Sequence, residues 1–231
     1  MSVYSDQRGI TYTAANQEVV DHFDATISEY VHMGTETGAR LKETLAADAE
    51  FPMAHILRGC FMQLFCIPAL TEKAKQSLAK AREASASIGV DDRERHHIDA
   101  LGTWVAEDMR SALEHWELIL LDHPLDMLTV KLSQLTHFYL GNSRQMRDSI
   151  ARILYAWHPE VPGHANVLGM YAFGLEECGD YAGAERTGRL AVESDPADPW
   201  SVHAVAHVLE MRDRRRDGIA WLRKPAATLR P

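Results

Sequence analysis

Cysteine, long apolar runs and strand patterns are all scarce in this chain of 231 residues. Its three cysteines show no paired spacing, which argues against a disulfide framework and favours a reducing compartment. No apolar run approaches the roughly 18 residues that span a bilayer, so we expect no membrane partner. The first eight residues lack the basic-then-apolar order of a secretory signal, and we therefore predict a cytoplasmic protein.

Basic residues are also in short supply. Lysine and arginine number 24 against 33 aspartates and glutamates, a formal net charge of −9. Because contact with phosphates needs a basic surface, this balance argues against a nucleic-acid partner. The chain also lacks a glycine-rich phosphate loop, a nucleophile elbow and a Cys/His nucleophile signature. The common sequence reasons for predicting an enzyme are therefore missing.

Helical periodicity is what the chain has instead. Apolar residues recur at three- and four-residue spacing, as in Val19, Phe23 and Ile27. Regular Gly and Pro breaks cut the chain into eleven or twelve helices of roughly 12–16 residues. We predict an all-α protein with an irregular N-terminus over 1–12, a single helical repeat domain over 13–224 and a C-terminal tail over 225–231.

One segment shows an internal repeat most clearly. Residues 165–198 resemble the tetratricopeptide repeat (TPR), a helix pair of about 34 residues. The matching positions are Leu168, Tyr171, Ala172, Gly179, Tyr181, Ala184, Ala191 and Pro196. Gly188 departs from the pattern, which has a large apolar residue there. The resemblance implies a TPR-like right-handed superhelix of about six antiparallel helix pairs, with the first helix of each pair lining a concave groove.

A closer resemblance covers nearly the whole chain. The chain is similar to the tetratricopeptide repeat protein 38 family in two segments, 162–177 and 202–211. Shorter matches, in the same order as in the family, lie at 97–101 and 137–141. This resemblance implies a TPR-like protein and no particular reaction. Members of that family are longer and carry further helical repeats, so the resemblance implies a shortened member.

Histidine is the residue in excess, with 12 copies. Most of them fall on segments predicted to be the first helices of pairs. His203, His207 and Glu210 share one helix face, which the repeat frame directs into the groove. The residues predicted to line the groove are His97, His137, His164, Tyr171, Glu176, His203, His207 and Glu210.

Three interpretations of the His203 face stay open. A His-x3-His pair can chelate a metal ion with Glu210 as a third ligand, a weak candidate because this spacing arises readily by chance. The imidazoles could instead grip a ligand or act in acid–base chemistry, since they titrate near neutral pH. They could also be buried polar groups that bond neighbouring repeats. The alternative for Tyr171 is a place in the packed core. The alternative for Glu176 is a place on a solvent-exposed helix face with no ligand.

The predicted function is that of a binding scaffold whose His-rich groove holds a peptide, a protein segment or a small polar molecule. The alternative is an enzyme that uses the same groove for acid–base or metal-assisted chemistry on a small molecule. A repeat array needs a polar cap at its end, whereas the last helix pair carries apolar residues on its outer face. We therefore also predict that two copies of the chain associate through this pair as a homodimer. The apolar residues are Ile219, Trp221 and Leu222.

Overall fold

The computed structural model describes residues 2–223. In this range twelve α-helices follow one short β-hairpin, which confirms the all-α class and the predicted number of helices. The predicted tail over 225–231 lies outside the described residues. The contacts of the chain divide it into two compact units, each described below by itself. The first contains the chain up to residue 29 and residues 36–133, and the second contains residues 30–35 and the chain from 134 onward.

The N-terminal segment, which was expected to be irregular, forms an antiparallel hairpin. Strand β1 covers Ser2–Ser5 and strand β2 covers Thr11–Ala14. Asp6 stabilises the turn, because its Oδ1 accepts the backbone N–H groups of Arg8 at 2.8 Å and Ile10 at 3.0 Å. Four-residue strands are too short to show a clear alternation of apolar and polar residues, so the expectation was wrong here.

The first unit contains the hairpin and the first helices of the chain. Its helices are α1 (Gln17–Val31), α2 (Thr37–Ala47), α3 (Pro52–Leu64), α4 (Pro68–Ile88), α5 (Asp92–Val105), α6 (Met109–Asp122) and α7 (Met127–Tyr139), of which α1 and α7 extend into the second unit. Helix α3 packs against α4, and α5 against α6. Tyr12 of β2 meets Phe23 and Phe51 edge to face in the core, which fixes the hairpin to the helices.

The second unit continues the series of helix pairs. It holds α8 (Ser143–Ile153), a short 3-10 turn (Leu154–Ala156), α9 (His164–Glu177), α10 (Tyr181–Ser194), α11 (Pro199–Met211) and α12 (Arg215–Leu222). Helix α9 packs against α8, α10 and α11, and α11 also packs against α12. His32 ties residues 30–35 to this unit, because its Nε2 lies 2.7 Å from Oδ2 of Asp195.

Close helix approach explains why Gly188 departs from the repeat pattern. A Cβ atom added to this residue of α10 would lie 2.6 Å from Cγ2 of Val205 on α11 and 3.5 Å from Cβ of Ala172 on α9. The position therefore has no room for the large apolar residue that the pattern has there. In the part of the chain that the structure describes, no helix is both long and apolar enough to cross a membrane.

Candidate binding face

Rings from three helices of the second unit form one continuous row. Phe138 of α7 lies 5.6 Å from Phe173 of α9, and Phe173 lies 5.0 Å from Trp200 of α11, measured between ring centroids. Trp200 stacks on His203 at 5.4 Å with an angle of 22° between the ring planes. We call Phe138, Phe173, Trp200, His203 and His207 the aromatic–imidazole face.

One ring of the aromatic–imidazole face is buried, whereas others are accessible to solvent. Phe173 is buried and packs with Met146, Ala172 and Ala204 in the core of the unit. Phe138 is 44% exposed, and the side chain of His207 is 40% exposed. A buried ring thus fixes the position of rings that remain accessible to a ligand.

His203 and His207 share one face of α11, as the sequence predicted. Their ring centroids lie 4.2 Å apart. Partial burial, together with the charge that His207 can carry, lowers the pKa of His203. The His203 imidazole is therefore neutral at neutral pH, and a neutral imidazole offers a ligand one donor and one acceptor.

Glu176 brings a nearly buried carboxylate to the edge of the aromatic–imidazole face. Its side chain is 6% exposed, and its Oε2 lies 4.0 Å from Nδ1 of His207, which is too far for a hydrogen bond. Burial raises the pKa of Glu176, and His207 opposes that rise. A carboxylate held in this way favours an incoming cation or hydrogen-bond donor.

The other predicted groove residues lie elsewhere. His97 belongs to the first unit and is completely buried. Tyr171 is partly buried and packs against a core cluster that contains Leu175 and Ala184. His164 begins α9, and burial lowers its pKa. His137 is buried near the end of α7.

The weak metal candidate does not assemble. Glu210 is exposed, and no described ion pair or side-chain hydrogen bond joins it to His203 or His207. Among residues 2–223, no three His, Cys, Asp or Glu side chains converge on a common metal position.

A buried network in the first unit accounts for His97. Its Nε2 lies 3.3 Å from Oδ2 of Asp126 and 3.1 Å from Oγ1 of Thr129. The same Asp126 oxygen accepts a hydrogen bond from Arg93 at 2.7 Å. These side chains are buried and burial lowers the pKa of His97, so the network holds helices together and presents nothing to a ligand.

The sequence patterns did not point to the aromatic members of the face, yet a signal for them exists. Phe138, Phe173 and His207 are separated by 35 and 34 residues, close to the length of one repeat. Their rings also meet in succession, since Phe173 lies 5.6 Å from Phe138 and 6.2 Å from His207, with the ring planes inclined at 56° and 78°. Equivalent positions of successive helix pairs therefore supply the row.

The C-terminal helix pair differs from expectation in one residue. Trp221 is buried against its own unit, where its Nε1 donates to the carbonyl of Val202 at 3.0 Å and the Arg189 guanidinium lies 4.8 Å from the ring centroid. Ile219 and Leu222 are exposed. Self-association through these two residues stays a prediction. No protein-family model matches the chain.

Proposed function

We propose that this protein is a binding module whose aromatic–imidazole face holds a short peptide segment of a partner. One observation carries the proposal: rings from three helices contact one another around the buried Phe173, with accessible rings at Phe138 and His207 and a nearly buried carboxylate at the edge. Exposed aromatic clusters of this kind characterise interaction surfaces.

The dimensions of the row suit an extended chain. Phe138 and His207 lie 5.6 Å and 6.2 Å from Phe173, so the row measures at most about 12 Å between its end rings. An extended peptide advances about 3.3 Å per residue and would place three or four residues along it.

The chemistry of the row defines the ligand further. Flat ring surfaces at Trp200 and Phe138 favour an aromatic or aliphatic side chain. The neutral imidazole of His203 can bond either the N–H or the C=O of a peptide group. Glu176 favours a lysine or arginine near His207. The proposed ligand is therefore an extended peptide with one apolar and one basic side chain.

The larger architecture belongs to the same proposal. We infer a TPR-like right-handed superhelix, in which the repeat spacing of Phe138, Phe173 and His207 places one ring per helix pair on the groove side. The packing of consecutive helix pairs supports this arrangement. The sequence resemblance to the tetratricopeptide repeat protein 38 family also supports it.

Openness favours binding over the catalytic alternative. An enzyme needs a concave pocket that encloses its substrate and excludes water. His203 is exposed, and His207 keeps 40% of its side chain accessible. His207 lies near the carboxylate of Glu176 and near His203, but both imidazoles are accessible to solvent.

A random octapeptide library displayed on phage tests the proposal. Selection on the purified chain should enrich peptides with a basic residue near an aromatic or aliphatic one. Fluorescein-labelled copies should bind Trp200→Ala and Glu176→Gln at least tenfold more weakly than wild type, as judged by anisotropy. Tyr155→Ala is the matched control, because Tyr155 is a 71% exposed aromatic residue of the same unit outside the face. Absence of enrichment, or equal losses in the control, would overturn the proposal.

A further inference from the structure

Two imidazoles of the first unit face each other across a helix pair. His96 lies on α5 and His115 on α6, and their Nδ1 atoms are 3.1 Å apart. The ring centroids lie 5.3 Å apart with the planes inclined at 46°. Both side chains are half-buried. The helix packing thus holds two nitrogen atoms at close range in positions that solvent can reach.

The separation of the two nitrogens matches the geometry of a shared metal ion. Zinc binds imidazole nitrogen at about 2.0–2.1 Å, and two ligands at a tetrahedral angle are then ~3.3 Å apart. The observed separation of 3.1 Å lies close to this value. Imidazole is also a preferred ligand of zinc, copper and nickel.

A cleft of about 370 Å³ opens beside His96. His96 lines it together with Asp92, Asp99, Asp122 and His123, and with Arg93 and Arg95, of which Arg93 is paired with Asp126. Asp92 is paired with Arg95, whereas no described ion pair uses Asp99 or Asp122. The uncompensated carboxylates raise the local concentration of cations at this opening.

We propose that His96 and His115 bind a late first-row transition-metal cation of the Zn²⁺ class through their two Nδ1 atoms. Since the described residues do not bring three His, Cys, Asp or Glu side chains together, water fills the other coordination positions. Asp99, one turn beyond His96 along α5, is positioned to accept a hydrogen bond from a metal-bound water. The ion would tie α5 to α6.

Metal binding at this site would change the tautomer of one of the two rings, and this change can be measured. Without metal, one Nδ1 must carry a hydrogen and donate it to the other. With metal bound at both Nδ1 atoms, both rings carry their hydrogen on Nε2. The number of protons stays the same, and only one ring changes tautomer.

Calorimetric titration of the chelator-treated full chain with ZnCl₂ tests the proposal. We expect one ion per chain, and at least tenfold weaker binding in His96→Gln and in His115→Gln. The double variant His203→Gln/His207→Gln is the matched control, because these histidines form another close imidazole pair and have chelating i,i+4 spacing. Wild-type binding by this double variant supports the proposal.

Long-range ¹H–¹⁵N spectra of the wild-type histidines provide a readout that does not depend on the folding of a variant. Zinc should convert the Nδ1–H tautomer within the His96–His115 pair to the Nε2–H form. Three results would overturn the proposal: no saturable binding at millimolar zinc, loss of binding only in the His203/His207 double variant, or unchanged tautomers in the zinc-saturated chain.

Discussion

The guanidinium of Arg93 and the carboxylate of Asp126 form an ion pair from which water is excluded. Nη1 and Oδ2 are 2.7 Å apart, and the two side chains are 1% and 0% exposed. Burial disfavours both charges, but their attraction outweighs it, so the pKa of Asp126 lies well below and that of Arg93 above its ordinary value. The pair joins α5 to the start of α7, where Asp126 also accepts the N–H of Thr129.

Asp126→Asn should destabilise the protein by about 3–5 kcal/mol, because it leaves the charge of Arg93 buried without a counter-ion. Urea unfolding followed by far-UV circular dichroism measures this loss. Asp122→Asn is the control, since Asp122 is exposed and forms no described ion pair; its effect should stay within about 0.5 kcal/mol. Equal effects of the two substitutions would show that the buried pair does not stabilise the fold.

Thr13→Val should cost about 1–3 kcal/mol by removing a hydrogen bond from a buried carboxylate. Thr13 Oγ1 donates to Oε2 of Glu94 at 2.8 Å, and burial raises the pKa of Glu94 even with this bond in place. Thr11→Val on the same strand is the control. The Thr11 hydroxyl lies 3.5 Å from Oδ2 of Asp91, so the hydrogen bond that this substitution removes is long and weak. Chemical unfolding of both variants decides the matter, and similar midpoints would contradict the expectation.

Gly188→Ala should lower the free energy of unfolding, because the added methyl group would contact Val205 at 2.6 Å. Overpacking costs about 1–3 kcal/mol, which exceeds the gain of about 1 kcal/mol in helix propensity. In Gly218→Ala the nearest atom to the added methyl group is Cβ of Leu209 at 3.7 Å, an ordinary contact. This variant should keep the gain in helix propensity and raise the free energy of unfolding. The melting temperatures of the two variants should therefore shift in opposite directions; a shared direction would argue against the close approach.

Glu176→Gln should weaken peptide binding while leaving the fold as stable or more stable. The pKa of Glu176 is raised in the folded state, so its charge opposes folding at neutral pH, and that penalty disappears as the pH falls through the raised pKa. The stability advantage of the Glu176→Gln variant should thus be larger at pH 7 than near pH 4.

Urea midpoints at the two pH values measure this difference. The neighbouring Glu177 is exposed, so Glu177→Gln is the matched control for the loss of one carboxylate from the end of α9. A Glu176→Gln variant that is much less stable than wild type at pH 7 would mean that the carboxylate stabilises the native fold.

Local signals in the sequence predicted most helix ends. Pro52 and Pro68 each begin a helix, and Gly89 ends α4 with a φ of +70°. These residues act through their own backbone geometry, which does not depend on distant contacts. The hairpin over residues 2–14 was missed because contacts distant in the sequence hold it, such as those of Tyr12 with Phe51 and of Thr13 with Glu94.

The sequence predicted only part of the candidate face, because some of its features are local and others depend on distant residues. The i,i+4 spacing of His203 and His207 places both on one side of a helix, whatever surrounds that helix. Whether a histidine is exposed depends on its neighbours, and this is why His97 and His207 have opposite environments although both were predicted for the groove.

The sequence by itself determined the helical class, the positions of most turns and the shared face of His203 and His207, since backbone geometry and helical period act over a few residues. Only the tertiary structure decided which imidazoles meet an aromatic row, which meet one another and which are buried beside an aspartate. Those outcomes depend on burial and on side chains from distant segments, such as Asp126 for His97 and Phe173 for His207.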